Sequence, residues 1–550
     1  MELSPSGHTD SFARDNLPPA DQWPVLEFTI DDVDYPDRLN AAAALIDEPT
    51  ARFGPDRLAL TTPDGERWTY GQLLARSNQI AHLLVDDFGL KPGNRVLLRA
   101  PNNPWLVAAW LGSLKAGAVV VTTMPLLREI EVEKLISLTT PKVAIADHRF
   151  LDDIVGPAEA HGVALITCGG TNEADLVPAS SRKSKAFDNV ETAADDVALL
   201  CPTSGTTGVP KVTMHFHRDI LINADTFGRH IVKVRADDVC ACSAPLAFTF
   251  GLGALVVFPL YFGAASLMVE KAAPIELAAH AVEAGVTILY TAPTAYRVIV
   301  KEGRGDLLRG LRTAVSAGEH LPQQTRDAVL EATGLRLIDG IGGTEMLHVF
   351  ISAAGDDIRP GAVGKPVPGF RAVILDEEGN ELGDNEPGRL AVRGPLGCRY
   401  LNDLRQTDYV VDGWNVTGDT FYRDTDGYFV YQARSDNMII SSGYNIGAPE
   451  VETAVNEHPD VLECAVVAKP DDTRGSVVTA FVVLRDGVDG GPEKAAEVQA
   501  FVKTQIAPYK YPREIRFVGE LPKNPSGKLQ HFKLREQLQH ETEQRVSERV

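Results

Sequence analysis

Residues 95–123 read RVLLRAPNNPWLVAAWLGSLKAGAVVVTT. Two short strand-like runs, RVLLRA (95–100) and VVVTT (119–123), flank a helix-forming stretch, NPWLVAAWLGSLKAG (103–117). A strand, a helix and a second strand in that order form a crossover unit, which implies a largely parallel sheet covered by helices. The rhythm extends both ways. Upstream, WTYGQLLARSNQIAHLL places Leu73, Leu74, Ile80, Leu83 and Leu84 at helical spacing, and Thr69 with Gln72 makes a capping box at its start. Downstream come a helix around 127–138 and a strand at 142–147, then further strands at 197–202, 313–318 and 336–342.

From about Gly361 the texture changes. Short strands separated by turns of the DEEGN type predict a small β-rich region. A further boundary falls within QARSDNMIISSGYNI (432–446). Beyond it, EVETAVNEH and EKAAEVQAFVKTQI read as helices, and VLECAVVAKP and VVTAFVVLRD as strands. That makes a compact α+β domain of roughly a hundred residues. The end, HETEQRVSERV, reads as a frayed charged tail. The expected fold class is α/β: a large N-terminal domain with parallel-rich sheets and a β-rich subdomain, 1–433, then a small α+β C-terminal domain, 434–550.

The chain of 550 residues is too long for one hydrophobic core. Its net charge is −22, from 75 acidic against 53 basic residues. Such acidity disfavours sequence-independent nucleic-acid binding, which needs lysine and arginine to neutralise phosphate. Any anionic ligand must be drawn in by local positive groups. The six cysteines form no CxxC pair and no cluster with histidine, so they read as buried thiols in a reducing compartment, and a cytoplasmic location is expected. The N-terminus has no apolar core of a signal peptide. Residues 239–269 carry no charge, but Pro245, Pro259 and several glycines divide them. They read as a loop, a buried helix and a buried strand rather than a membrane span.

The stretch PTSGTTGVPK, 202–211, directly follows the buried strand VALLC. Gly205 and Gly208 let the backbone turn its N–H groups toward one point, which is how chains cradle phosphate. Thr203, Ser204, Thr206 and Thr207 add hydroxyl donors, and Lys211 adds charge. It is not a Walker loop, because Pro210 precedes the lysine and Val212 follows it. Further along, GIGGTEM (340–346) offers the Thr344 hydroxyl to a phosphate and Glu345 as a hard oxygen ligand for Mg²⁺. Asp419 in TGD could accept two hydroxyl hydrogen bonds from a ribose. Phe248, Thr249 and Phe250 supply flat apolar walls suited to an aromatic ring. His348 lies three residues after Glu345 and could bond an ortho amino or hydroxyl group, or equally be a satisfied core histidine.

With SAGEHLP (316–322), TGD (417–419), ARSDNMIISSGYNI (433–446) and LPKNPSGKLQ (521–530), these motifs resemble the acyl-adenylate-forming superfamily, in its order and over nearly the whole chain. LAFTFGLG (246–253) and GGTEMLHVF (342–350) resemble the benzoate-CoA ligase branch, and the 2-aminobenzoate-CoA ligases most. The resemblance implies ATP, Mg²⁺ and coenzyme A. It implies an adenine slot from Gly318, Glu319, Asp339, Gly340 and Ile341, and a ribose or phosphate contact from Arg434. It places a mobile small domain after residue 433, with a hinge at Asp436. Asn437 stands beside that hinge where many members have a second aspartate. The resemblance puts Lys528 on the α-phosphate and substrate carboxylate during adenylation, and lines a pantetheine tunnel with Ser442, Gly443 and Tyr444. The expected partners are an aromatic acid, ATP and CoA in a monomer or homodimer. The alternative is a stand-alone enzyme that loads an aryl acid onto a carrier protein.

Overall fold

The computed structural model describes residues 3–203, 210–434, 438–441, 444–471, 475–506, 510–524 and 529–547. By contacts the chain divides into a larger unit, Met1–Ala372 with Ala391–Val416, and a smaller one, Val373–Leu390 with Thr417–Val550.

The crossover at 95–123 is the centre of the first sheet in the larger unit. Its strands run in the order Ala164–Cys168, Val143–Asp147, Arg95–Arg99, Val119–Thr123, Val197–Thr203 and Lys211–Phe216. The first five are parallel, and the sixth turns back antiparallel on the fifth. Arg95–Arg99 and Val119–Thr123 are buried at every position, as strands covered by helices on both faces must be. Helix Pro104–Lys115 connects them, and Asn103 caps it by accepting from the Leu106 N–H at 2.9 Å. Helix Tyr70–Asp86 begins at the expected capping box: Thr69 Oγ1 accepts from Gln72 N and Gln72 Oε1 accepts from Thr69 N.

A second, nine-stranded sheet runs Lys365–Pro366, Val349–Ser352, Ile338–Gly342, Thr313–Ala317, Ile288–Thr291, Val239–Cys242, Ala265–Leu267, Leu58–Thr61, Arg67–Thr69. Its six inner strands, from Ile338–Gly342 to Leu58–Thr61, are parallel. The uncharged run 239–269 is interior here. It supplies strand Val239–Cys242, three short helical turns from Thr249 to Phe262 and strand Ala265–Leu267. Its first residues, expected in a loop, form a strand because parallel neighbours hydrogen-bond them on both sides. Among the described residues no helix is long and apolar enough to cross a membrane. All six cysteines are buried and unpaired.

In the smaller unit, Val461–Asp471 and Gly475–Leu484 form a long antiparallel hairpin, with Glu514–Phe517 parallel beside it. Helices Ala448–Asn456 and Pro492–Gln505 bury Val451, Val455, Val498 and Val502 against the hairpin's Cys464, Val466, Val478 and Ala480. As far as Ser547 the charged C-terminal segment is helical rather than frayed: it continues helix His531–Ser547, anchored by Leu534 and Leu538 against Ala465, Val467 and Phe481. Arg516 holds Glu541 on that helix in an ion pair of 2.7 Å.

Candidate active site

Parallel strands deliver their loops at one edge, and the carboxyl ends of such strands are where α/β proteins place ligands. Two neighbouring strands meet this rule. Ser316 pairs with Asp339 and Ala317 with Gly340, so Gly318 and Glu319 emerge beside Asp339, Gly340 and Ile341. The five residues expected around adenine are thereby adjacent. Gly318 turns at φ +90°. Gly340 is required by close approach, since a Cβ there would stand 2.8 Å from Val349 Cγ1. Glu319 is exposed and accepts from the Thr294 hydroxyl at 2.7 Å. Asp339 is buried, and desolvation pushes its carboxyl up to about 7 despite the Arg326 guanidinium at 3.4 Å.

After Gly342 the chain makes a single 3₁₀ turn, Thr344–Met346. Leu347 then adopts φ +58°, a left-handed backbone that leucine rarely takes, and His348 starts the return strand. Non-glycine residues in that region cost of order 1–3 kcal/mol and cluster at functional sites. The turn separates two environments.

On one side, Glu345 Oε1 accepts a hydrogen bond from the Tyr400 hydroxyl at 2.6 Å. The same hydroxyl accepts from Lys211 Nζ at 2.8 Å, which leaves the lysine 3.9 Å from the carboxylate. Lys211 also lies 4.7 Å from the Tyr400 ring centroid. Among the described residues, Glu345 Oε2 makes no hydrogen bond. A half-buried carboxylate with a remaining hard oxygen fits a Mg²⁺ ion that also takes phosphate oxygens. Lys211 opens its strand opposite Thr203, the last described residue before the glycine-rich loop.

On the other side, His348 is fully enclosed. Its ring centroid lies 4.8 Å from Phe258, 5.2 Å from Phe227 and 5.5 Å from Phe250. Neither ring nitrogen has a hydrogen-bond partner of good geometry, the Phe250 backbone giving only a minor upward pull on its pKa. Burial dominates and holds the imidazole neutral, at about 3. Phe250 in turn meets Tyr290 edge-on at 6.0 Å, and the Tyr290 hydroxyl is also buried without a partner. Thr249 is buried beside it, and Phe248 is half-buried at the start of the same helical turn. Gly253 makes room for the histidine: a Cβ there would sit 2.5 Å from His348 Cδ2.

In the smaller unit, Asp419 and Arg434 stand directly opposite on the antiparallel strands Trp414–Arg423 and Phe429–Arg434. Asp419 is buried, and its N–H donates to Thr417 Oγ1. Arg434 and Tyr444 are placed as strand positions only. Ser204, Gly205, Thr206, Thr207, Gly208, Asp436, Ser442, Gly443 and Lys528 lie outside the described residues. Tyr400, Phe227, Phe258 and Tyr290 were not anticipated. Each is remote in sequence from the turn it serves, and no motif spacing marks it.

The chain matches the family model "AMP-binding enzyme" over residues 47–399 and "AMP-binding enzyme C-terminal domain" over residues 450–528. Benzoate–CoA ligase of Thauera aromatica is 35% identical over 518 residues, covering 92% of this chain and 97% of that protein. The crystal structure of the anthranilate CoA ligase AuaEII with anthranoyl-AMP matches with a TM-score of 0.87 at 31% identity, over 93% of this chain and 100% of that one. A benzoate CoA ligase from Burkholderia xenovorans LB400 matches with a TM-score of 0.82 at 32% identity, over 90% and 100%. Both family models, the full-length relatives and the paired strand ends lead to one conclusion: the chain belongs to the AMP-binding enzyme family and is an AMP-forming acyl-CoA ligase.

Proposed function

We propose that this enzyme activates an aromatic carboxylic acid, 2-aminobenzoate or a close benzoate relative, as its acyl-adenylate and transfers it to CoA. The observation that carries this reading is His348, a buried neutral imidazole with no hydrogen-bond partner, walled by Phe227, Phe250 and Phe258. Aromatic walls with one convergent polar group suit a flat ring bearing a single hydrogen-bonding substituent. The likeness to a benzoate and an anthranilate ligase supports the same class. The relatives named are CoA ligases, which favours free CoA over a carrier protein as acceptor.

The reaction begins with attack of the acid's carboxylate on the α-phosphorus of ATP, releasing pyrophosphate and leaving a mixed anhydride. Lys211 and the loop 203–208 would bind phosphate oxygens, and the Thr344 hydroxyl would donate to the α-phosphate. Glu345 would hold the Mg²⁺ that neutralises phosphate charge. Asp339, Gly340, Ile341, Gly318 and Glu319 would flank adenine, while Asp419 and Arg434 would take the ribose and phosphate. Lys528 would supply a fixed cation where the pentavalent phosphorus gathers charge. The part of the chain after residue 433 would then swing about Asp436, removing Lys528 and bringing in Ser442, Gly443 and Tyr444. A side chain at 443 would obstruct the thin thiol arm of CoA. The thiolate attacks the carbonyl and AMP leaves.

The test is acid-dependent AMP and thioester formation with Mg-ATP and CoA across benzoate, 2-aminobenzoate, 2-hydroxybenzoate, phenylacetate and octanoate. Thioester from one aromatic acid supports the reading and names the substrate. Adenylate without thioester points to a carrier protein. Preference for octanoate overturns it.

A further inference from the structure

The strand Lys211–Phe216 alternates its side chains, so Lys211, Thr213 and His215 share one face. Lys211 reaches Tyr400 and Glu345 from that face. Four residues along, His215 Nε2 lies 2.8 Å from the backbone carbonyl of Thr344 and 3.0 Å from Thr213 Oγ1. A carbonyl can only accept, so Nε2 carries the proton. Thr213 Oγ1 passes its own hydrogen to the Cys201 carbonyl, which leaves its lone pairs for the same imidazole N–H. His215 and Asp219 are buried, and Asp219 is paired with Arg399 at 2.9 Å. Its other neighbours are the charges of Asp219, 3.9 Å from Nδ1, and Arg399; burial outweighs both and keeps the imidazole neutral, at about 4. The segment bearing Tyr400 is docked on the same strand, through Met214 N–H to the Arg399 carbonyl at 2.7 Å and Leu401 N–H to the Val212 carbonyl at 2.8 Å.

We propose that His215 is a positioning residue for the ATP-consuming half-reaction: through its Nε2–H it grips the Thr344 carbonyl and fixes the Thr344–Glu345 turn relative to Lys211. One strand thereby sets the spacing of three groups that meet phosphate and metal: Lys211 directly, Glu345 through Tyr400, and Thr344 through His215. Displacing a catalytic group by about 1 Å can cost on the order of 10²-fold in rate. The donor function is separable from bulk. Glutamine carries an N–H that can extend to the same carbonyl, phenylalanine fills the space without a donor, and asparagine has a donor but falls short.

The inference rests on the proposed roles of Thr344 and Glu345, so the two are tested apart. Acid-dependent pyrophosphate exchange and thioester formation from supplied acyl-adenylate are measured for the wild type and for His215→Phe, His215→Asn and His215→Gln, each checked for folding by its thermal midpoint. The expected result is a fall of about 10–100-fold in the kcat of exchange for Phe and Asn. Thioester formation from adenylate should stay within a few-fold, and Gln should recover at least tenfold of the lost exchange. Asn keeps the test open if Phe does not fold. Equal losses in both half-reactions, or Gln no better than whichever of Phe and Asn folds, would overturn the inference. A wild type inactive in exchange with every acid would instead overturn the functional reading.

Discussion

The two sides of the Thr344–His348 turn handle polar atoms in opposite ways. Around Glu345 the charges answer one another: the lysine reaches the tyrosine hydroxyl, and the hydroxyl reaches the carboxylate. Around His348 no hydrogen-bond partner of good geometry answers either buried nitrogen, and three phenylalanine rings surround the imidazole. A buried polar atom left unpaired costs about 1–3 kcal/mol, and in the proposed role of His348 a bound acid would recover part of it. The first side is a paired network whose members, in the proposed roles, would turn to phosphate and metal. Under the proposed function, the difference would keep specificity and rate apart: the dry side would select the acid, and the charged side would perform the activation.

Removing the charged side should have the largest effect. Glu345→Ala is expected to lower adenylate formation by about 10²–10³-fold, as loss of a transition-state electrostatic group does. It should leave the ranking of acids unchanged; a changed ranking would break the separation. pH should distinguish the sides next. His348, His215 and His217 have folded values of about 3, about 4 and about 3, below their ordinary 6.5, so only the unfolded chain takes up their protons as pH falls below 6.5. Their contribution is present above 6.5 and lost on acidification toward 3. Asp339, raised to about 7 from 3.8, acts oppositely: its contribution is present below 3.8 and lost as pH rises through about 7. Each proton is worth about 1.4 kcal/mol per pH unit. Asp339→Asn should therefore steepen the loss of stability between pH 6.5 and 4.5 in chemical denaturation. An unchanged slope would mean that the Asp339 carboxyl is ionised in the folded protein.

Crowding the dry side should cost less. Gly253→Ala would force a methyl against the His348 ring and is expected to destabilise by about 1–3 kcal/mol. It should raise KM for the acid and leave KM for ATP within twofold. His348→Phe should reduce the preference for 2-aminobenzoate over benzoate by about tenfold, the worth of roughly one hydrogen bond; equal effects on both acids would make it a packing residue. The smallest change should come from Tyr400→Phe. It removes one hydroxyl between two charges and should slow pyrophosphate exchange by about three- to tenfold with acid preference intact.

Local features were legible in the sequence. The β-branched strand Val119–Thr123 and the Thr69–Gln72 capping box depend on neighbours only, and both are where the residues place them. His348 could be picked out because it sits three residues from Glu345 in one motif. Its enclosing rings could not, because Phe227 and Phe258 are brought to it from another part of the sheet's surroundings by helical turns that carry no signature. Tyr400 is 55 residues from Glu345 and 189 from Lys211, and His215 is 129 from Thr344. Such pairings are decided by strand order, which local pattern does not encode. The same holds for Val239–Cys242, whose strand character comes from the strands on either side.

Leu347, with its left-handed backbone, stands between the two halves of the turn. Three peptide steps, at most about 11 Å of backbone, join Glu345 to His348, and the positive φ of Leu347 turns the chain between them. The residue that would hold the metal and the residue that would touch the ring are therefore tied to one short caliper. An acid with an added methylene between ring and carboxylate, such as phenylacetate, would be too long for its jaws, so the enzyme would measure its substrate by length before it reads any substituent.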